Sequence, residues 1–145
     1  MAAAIAYKAG NPALALPLAL GSHFVLEKVP HWNPHLNTEK KKYGKLTPTT
    51  QKIILVDSLV ALASGFFLAS RVLPDTGRFL IILSCCFLSV LPDVAEAPYF
   101  FWDYQNKFIM KLHKFQKSIQ SDTNVIAGLS LQAATIFAAF FWILQ

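Results

Sequence analysis

Four long apolar runs, separated by polar connections, dominate the chain and are candidate membrane helices. They cover residues 12–29, 53–73, 79–98 and 125–144. Residues 125–144 contain no charged side chain, and about 20 predominantly apolar residues are needed to cross the hydrocarbon core of a bilayer as a helix. The pattern predicts an all-α fold, with residues 1–145 forming a single polytopic bundle of about four membrane helices.

The start of the chain predicts a short helix of its own. Residues 1–7 are apolar, but Lys8 follows them, and residues 10–12 are typical of a break between helices. Pro12 suits the first turn of the next helix, and Pro30 is expected to end that helix. A cleaved signal peptide is not expected, because no basic segment precedes the apolar residues.

Composition supports a membrane protein. Hydrophobic residues make up 54% of the chain and charged residues 14%, whereas a soluble domain carries about 25% charged residues. A soluble globule and a disordered chain are thereby excluded. A disulfide-rich scaffold is excluded too, since Cys85 and Cys86 are the only cysteines. Both are expected to be small apolar residues of a helix.

The basic residues are concentrated in two connections, residues 30–52 and residues 103–123. Ten of the 13 lysines and arginines lie in or directly beside these segments. Cytoplasmic loops carry an excess of lysine and arginine, so both connections are predicted to face the cytoplasm. The net charge of +5 is explained by these cytoplasmic loops, so nucleic acid is not expected as a partner. The expected partner is the lipid bilayer, with its anionic headgroups near Lys40, Lys41, Lys42 and Lys45.

Histidine and acidic side chains gather at the same predicted end of the bundle. They are His23, Glu27, His31, His35, Asp57, Asp93, Glu96 and His113. Pairs separated by three or four positions share one face of a helix, and imidazole nitrogen with carboxylate oxygen suits Zn, Mn or Fe. The residues therefore indicate a candidate divalent-metal site. In such a site the metal activates a bound water, and a carboxylate that is not a ligand acts as general base.

Most of these residues also have a structural interpretation. His23 and Glu27 can pair within one helix, and His31 is typical of an interfacial loop rich in Trp and Pro. Asp57 is equally explained by a helix N-terminus, where the macrodipole favours a negative charge. His113 lies among lysines in a segment with the pattern of an amphipathic surface helix and is expected to be solvated there.

Three motifs carry a resemblance to a known family. They are residues 21–34, with a His-x-x-x-Glu-x-x-Pro-His pattern, residues 91–98, with Leu-Pro-Asp, and residues 113–121. In these segments the chain resembles a family of small, mostly uncharacterised bacterial membrane proteins, distantly similar to the membrane-bound metal-dependent hydrolases of the inner membrane. The resemblance implies a multi-pass inner-membrane protein with the candidate ligands His23, Glu27, His31, Asp93, Glu96 and His113.

The sequence leaves two kinds of function open. In the first, a metal-dependent hydrolase cleaves an ester or phosphoester bond in a membrane-associated substrate. Its metal ligands are drawn from His23, His31, Asp93 and His113, and its general base is Glu96 or Glu27. In the second, the protein is not an enzyme. The polar side chains then serve ion or proton passage or the docking of a partner, or the lysines make the protein a lipid-binding adaptor.

Overall fold

The computed structural model describes residues 1–145 and contains helices but no β-strand. The helices are α1 (Ala2–Ala9), α2 (Pro12–Leu26), α3 (Leu36–Tyr43), α4 (Pro48–Ser70), α5 (Thr76–Trp102), α6 (Lys107–Ile119) and α7 (Val125–Leu144). The predicted all-α fold and the short N-terminal helix are confirmed. Each basic connection also contains a short helix, α3 in the first and α6 in the second.

Three of the helices, α4, α5 and α7, are long and apolar enough to cross a membrane. They contain 23, 27 and 20 residues. Helix α2 contains 15 residues, which at about 1.5 Å per residue gives about 22 Å, less than the ~30 Å hydrocarbon core. The structure thus has three helices of this length where about four membrane helices were predicted, and the fourth apolar segment, α2, is a shorter helix that packs against α1 and α5.

The ends of the helices follow local capping chemistry as much as the limits of the apolar runs. Helix α4 begins at Pro48, ahead of the predicted span, because the side chain of Thr47 caps its first turn. Helix α5 continues to Trp102 and contains Pro98, where the span was predicted to end. Helix α7 has the predicted bounds, and Asn124 is its N-cap.

Small side chains form the core where α1, α2 and α5 meet. Ala15 and Ala19 of α2 lie in one buried cluster with Ile82 and Cys85 of α5, and all four are fully buried. Small residues let helix backbones approach closely, which favours helix association in a bilayer. Helices α4 and α7 expose most of their apolar side chains, as expected for surfaces that contact lipid.

At one end of the bundle, α1 is tied to the turn between α4 and α5. The Tyr7 hydroxyl donates to the Leu68 carbonyl at 2.6 Å. The Arg78 guanidinium donates to the Tyr7 carbonyl at 3.1 Å and lies 5.4 Å from the centroid of the Tyr7 ring. These contacts hold α1 and the start of α2 against the end of the α4–α5 pair.

At the opposite end, the two basic connections meet. The His31 N–H donates to the Ser121 carbonyl at 3.1 Å, and the Thr123 N–H donates to the His31 carbonyl at the same distance. The Gln132 side chain of α7 donates to the Trp32 carbonyl at 3.0 Å. Residues 31 and 32 are therefore fixed between α7 and the segment before it, which brings the two connections to one end of the bundle.

Glu39 of α3 joins this helix to the start of α4. Its carboxylate accepts hydrogen bonds from the Thr47 N–H (2.8 Å), the Thr47 hydroxyl (3.1 Å) and the Thr50 hydroxyl (2.7 Å). The Thr47 N–H is the strongest of these influences, and together the donors lower the pKa of Glu39 below its usual value of 4.5. Because the folded pKa is lowered, the stabilisation is present above pH 4.5 and is lost as the pH falls through the folded pKa.

Replacing Glu39 by glutamine is expected to loosen the α3–α4 junction, because the amide has no charge and one acceptor oxygen in place of two. We expect severalfold faster hydrogen exchange across residues 36–50 at neutral pH, measured by mass spectrometry in detergent. The difference from the wild type should shrink as the pH falls below 4.5 and through the lowered pKa of the wild-type Glu39 carboxyl, where that group takes up a proton. Identical exchange in the two proteins at neutral pH would contradict this role.

Candidate functional site

A chain of hydrogen bonds joins four side chains from three helices. His23 lies in the last turn of α2, Glu96 in α5, and His113 and Gln116 about one turn apart in α6. His23 Nε2 is 3.1 Å from Gln116 Oε1, and Gln116 Nε2 is 2.6 Å from Glu96 Oε1. Glu96 Oε2 is 2.8 Å from His113 Nδ1. We call these four residues the buried network.

The donors and acceptors of the buried network have a defined order. An ionised carboxylate only accepts, so Gln116 presents its Nε2 to Glu96 and its Oε1 to His23. His23 must then donate from Nε2, since an amide oxygen only accepts. His113 Nδ1 is the second donor to Glu96, and both oxygens of the ionised carboxylate are therefore satisfied.

Aromatic rings enclose the His113 end of the buried network. The ring centroids of Tyr99 and Phe100 lie 5.0 and 5.6 Å from that of His113. The side chains of Glu96 and His113 are 7% and 13% exposed. Exclusion of water lowers the local dielectric constant, which strengthens these hydrogen bonds and makes an unpaired group in the same place costly.

Asp93 lies on the open side of the buried network. Its Oδ1 is 3.8 Å from His23 Nε2, which is too long for a hydrogen bond, and its side chain is 62% exposed. Asp93 and Glu96 are three residues apart in α5 and so share one side of the helix. The two carboxylates nevertheless differ, since one is buried and hydrogen-bonded and the other is open.

Glu27, just beyond the end of α2, belongs to the same region. Burial is the main influence on this carboxyl and raises its pKa above the usual 4.5. Positive charge on His31 opposes that shift, whereas the neighbouring Asp93 carboxylate adds to it. The backbone carbonyl of Glu27 accepts a hydrogen bond from the Ser121 N–H at 2.9 Å, so its position is tied to the second basic connection.

The predicted metal ligands do not converge on one point. No group of three or more His, Cys, Asp or Glu side chains is placed closely enough to hold a metal ion. Both oxygens of Glu96 accept hydrogen bonds, and His31 Nδ1 donates to the Val29 carbonyl at 2.8 Å. These side chains lie in one region but, as arranged, do not fit a metal centre.

Three other candidate residues have definite positions. His113 was expected to be solvated, and this is wrong, because its side chain is largely buried and bonded to Glu96. Asp57 is exposed in the third turn of α4, since that helix begins at Pro48. A macrodipole role is therefore wrong for Asp57, because the effect falls off within the first turn. His35 is exposed at the start of α3.

Lys40 was expected to face lipid headgroups, but its ammonium group instead binds other residues of the protein. Its Nζ lies 2.6 Å from Asp103 Oδ1, donates to the Phe100 carbonyl at 3.4 Å and lies 5.6 Å from the centroid of the Tyr99 ring. Its side chain is 9% exposed, because α3 folds over the end of α5. The other three lysines of that cluster are exposed: Lys41, Lys42 and Lys45.

Gln116 is the one member of the buried network that was not predicted from the sequence. Helix α6 buries Ile109 and Gln116, which are seven positions apart and therefore lie on one face of the helix. A polar residue in register with a buried isoleucine was the available signal. It was obscured because the surrounding segment is rich in lysine.

Comparison of the chain with protein-family models, with curated proteins and with solved structures finds no match. The chemistry of the region therefore rests on its own geometry. That geometry is a buried carboxylate with two donors, held between α2, α5 and α6.

Proposed function

We propose that the protein is an integral inner-membrane protein whose buried network binds and releases a proton at the cytoplasmic face. The contact that carries the proposal is the 2.8 Å distance between Glu96 Oε2 and His113 Nδ1. A carboxylate and an imidazole in such a contact share one proton, which either group can hold. Histidine is also the side chain whose charge ordinarily changes between about pH 5 and pH 8.

Gln116 confines the proton to one pair of groups. A primary amide is neither acid nor base in this pH range, so Gln116 transmits orientation between Glu96 and His23 but does not carry the proton. The proton reaches Glu96 through His113, whose side chain is 13% exposed. Helix α4 carries no charged side chain after Asp57, and α7 carries none at all. No path for a proton through the bundle is therefore proposed, and the proton enters and leaves from one side.

Proton uptake by Glu96 is expected to loosen α6. A neutral carboxyl group still accepts from Gln116, but hydrogen bonds to an ionised group are about twice as strong as those between neutral groups. Gln116 and Ile109 are the two buried residues of α6. Weakening the Gln116 bond therefore weakens an attachment of this helix to α5, which makes α6 the element that responds to pH.

The cytoplasmic placement rests on the lysines. The two connections that meet beside the buried network hold most of the basic residues of the chain, and lysine and arginine are enriched in cytoplasmic loops. The turn between α4 and α5, at the other end, carries only Arg71 and Arg78. The assignment to the inner membrane rests on the family resemblance of residues 21–34 and 91–98.

Hydrogen exchange of residues 107–119 tests the proposed function in protein reconstituted in lipid nanodiscs. After correction for the intrinsic effect of pH on exchange, we expect α6 to exchange about tenfold faster near pH 5 than near pH 8, as for the loss of roughly 1.4 kcal/mol from one charge-assisted bond. Glu96→Gln cannot change charge and should give the same corrected rate at both pH values.

His35→Gln is the matched control, because His35 is exposed and lies outside the buried network. This variant should keep the wild-type response, whereas His113→Gln should lose it. A wild-type protein whose corrected exchange in α6 is the same at both pH values would overturn the proposal. So would a full response in Glu96→Gln.

Metal-dependent hydrolysis stays a prediction that rests on the family resemblance. Metal analysis of protein purified in detergent tests it, because this hypothesis requires stoichiometric Zn, Mn or Fe. The metal should be lost in His23→Ala and Asp93→Ala and kept in the control His35→Ala. Metal-free wild-type protein with unchanged stability would contradict the prediction.

A further inference from the structure

Helix α6 carries three stripes of different chemistry. Ile109 and Gln116 form the buried stripe. Phe108 and Phe115 form a second stripe and are 70% and 49% exposed. Three exposed lysines form the third stripe: Lys107, Lys111 and Lys114. Because successive residues of a helix are rotated by about 100°, the phenylalanine stripe lies between the buried stripe and the lysine stripe.

The position of α6 along the chain holds it at a membrane surface. Four residues separate its first residue from the end of α5, and five separate its last residue from the start of α7. Both neighbours are long and apolar enough to cross a membrane. Connections this short keep α6 near the ends of two membrane helices, where lipid headgroups are the immediate surroundings.

We propose that α6 lies in the headgroup layer of an anionic bilayer, with the phenylalanine stripe at the acyl boundary and the lysine stripe on lipid phosphates. Interfacial helices have this arrangement, with aromatic side chains on the apolar side and lysines beside them. The long aliphatic part of lysine lets its ammonium group reach the phosphates while the helix lies deeper.

The charges of the lysine stripe lack partners within the protein. None of the ion pairs includes Lys107, Lys111 or Lys114. The fourth lysine of α6 differs, since the Lys117 Nζ lies 3.6 Å from Asp122 Oδ2. An unpaired positive stripe beside an exposed aromatic stripe is complementary to a negatively charged, partly apolar surface, and an anionic bilayer is such a surface.

Hydrogen exchange of residues 107–119 at one fixed pH tests this surface independently of the proton proposal. Protein is compared in nanodiscs of phosphatidylcholine alone and in nanodiscs with phosphatidylglycerol added. We expect about tenfold slower exchange of α6 with the anionic lipid, and a smaller difference at high salt, because each lysine near an anionic surface adds to the attraction. The triple variant Lys107→Gln, Lys111→Gln, Lys114→Gln should lose the difference.

The matched control is Lys41→Gln, Lys42→Gln, Lys45→Gln, which removes the same charge from exposed lysines of the other basic connection. Because these lysines would meet headgroups at or beside α3 and not at α6, this control should keep the effect of phosphatidylglycerol on the exchange of residues 107–119. Equal exchange in the two kinds of nanodisc would overturn the proposal and leave a soluble acidic partner as the occupant of the surface. Loss of the effect in the control variant would overturn it as well, because the attraction would then not reside in α6.

Discussion

Replacing Glu96 by alanine is expected to lower the free energy of unfolding by about 3–5 kcal/mol, the range for removing one partner of a buried charged pair. The variant leaves the Gln116 amide and His113 Nδ1 without the acceptors that they now have at 2.6 and 2.8 Å. Both donors lie where water is largely excluded, so neither is readily rehydrated. Thermal or denaturant unfolding in detergent, followed by circular dichroism, measures the loss.

Asp93→Ala is the matched control for Glu96→Ala. It removes a carboxylate from the same side of α5, but the Asp93 side chain is 62% exposed and its 3.8 Å approach to His23 Nε2 is too long for a hydrogen bond. We expect its effect on the free energy of unfolding to stay within about 1 kcal/mol. Equal losses in Glu96→Ala and Asp93→Ala would show that the buried network does not hold the three helices together.

Gly128→Ala is expected to destabilise the protein by about 3 kcal/mol, at the upper end of the usual range for overpacking. A Cβ at this position of α7 would overlap the Trp32 backbone nitrogen and lie 2.9 Å from the His31 carbonyl carbon. Backbone atoms cannot turn aside as a flexible side chain can. Residues 31 and 32 must therefore leave α7, and the Gln132 bond to Trp32 is lost with them.

Gly21→Ala is the control for Gly128→Ala, because nothing lies within 4 Å of a Cβ built at Gly21. Alanine favours a helix over glycine by about 1 kcal/mol, so this variant should be neutral or more stable. Unfolding in detergent and hydrogen exchange of residues 31–33 distinguish the two. Full stability and unchanged exchange in Gly128→Ala would mean that the close contact between α7 and residues 31–32 does not exist.

The sequence predicted both ends of α7 correctly but overestimated the length of α2. The difference arises because hydropathy was used to place the ends of each helix. Residues 125–144 are uninterrupted, and Asn124 supplies a local start signal. The predicted span from residue 12 to residue 29 is long enough to cross a bilayer, but α2 already ends at Leu26. The last three residues of that span, just before Pro30, are not helical. Hydropathy alone does not register where the backbone stops being helical.

Most of the candidate site was predictable, because polar residues in apolar surroundings stand out. His23 and Glu96 were selected for that reason, and both lie in the buried network. Spacing along a helix gives the face of a side chain but not its distance to side chains of other helices. That limit explains why the sequence could not show how closely the candidate metal ligands approach one another, and why Gln116, a polar residue among lysines, was missed.

The central claim is that Glu96 takes up a proton inside the buried network. Infrared difference spectroscopy of the reconstituted protein, between about pH 8 and pH 5, tests it most directly because a protonated carboxyl group has a carbonyl band that a carboxylate lacks. The wild type should gain such a band on acidification, and the part due to one carboxyl group should be absent from Glu96→Gln. Identical difference spectra in the two proteins would contradict the claim.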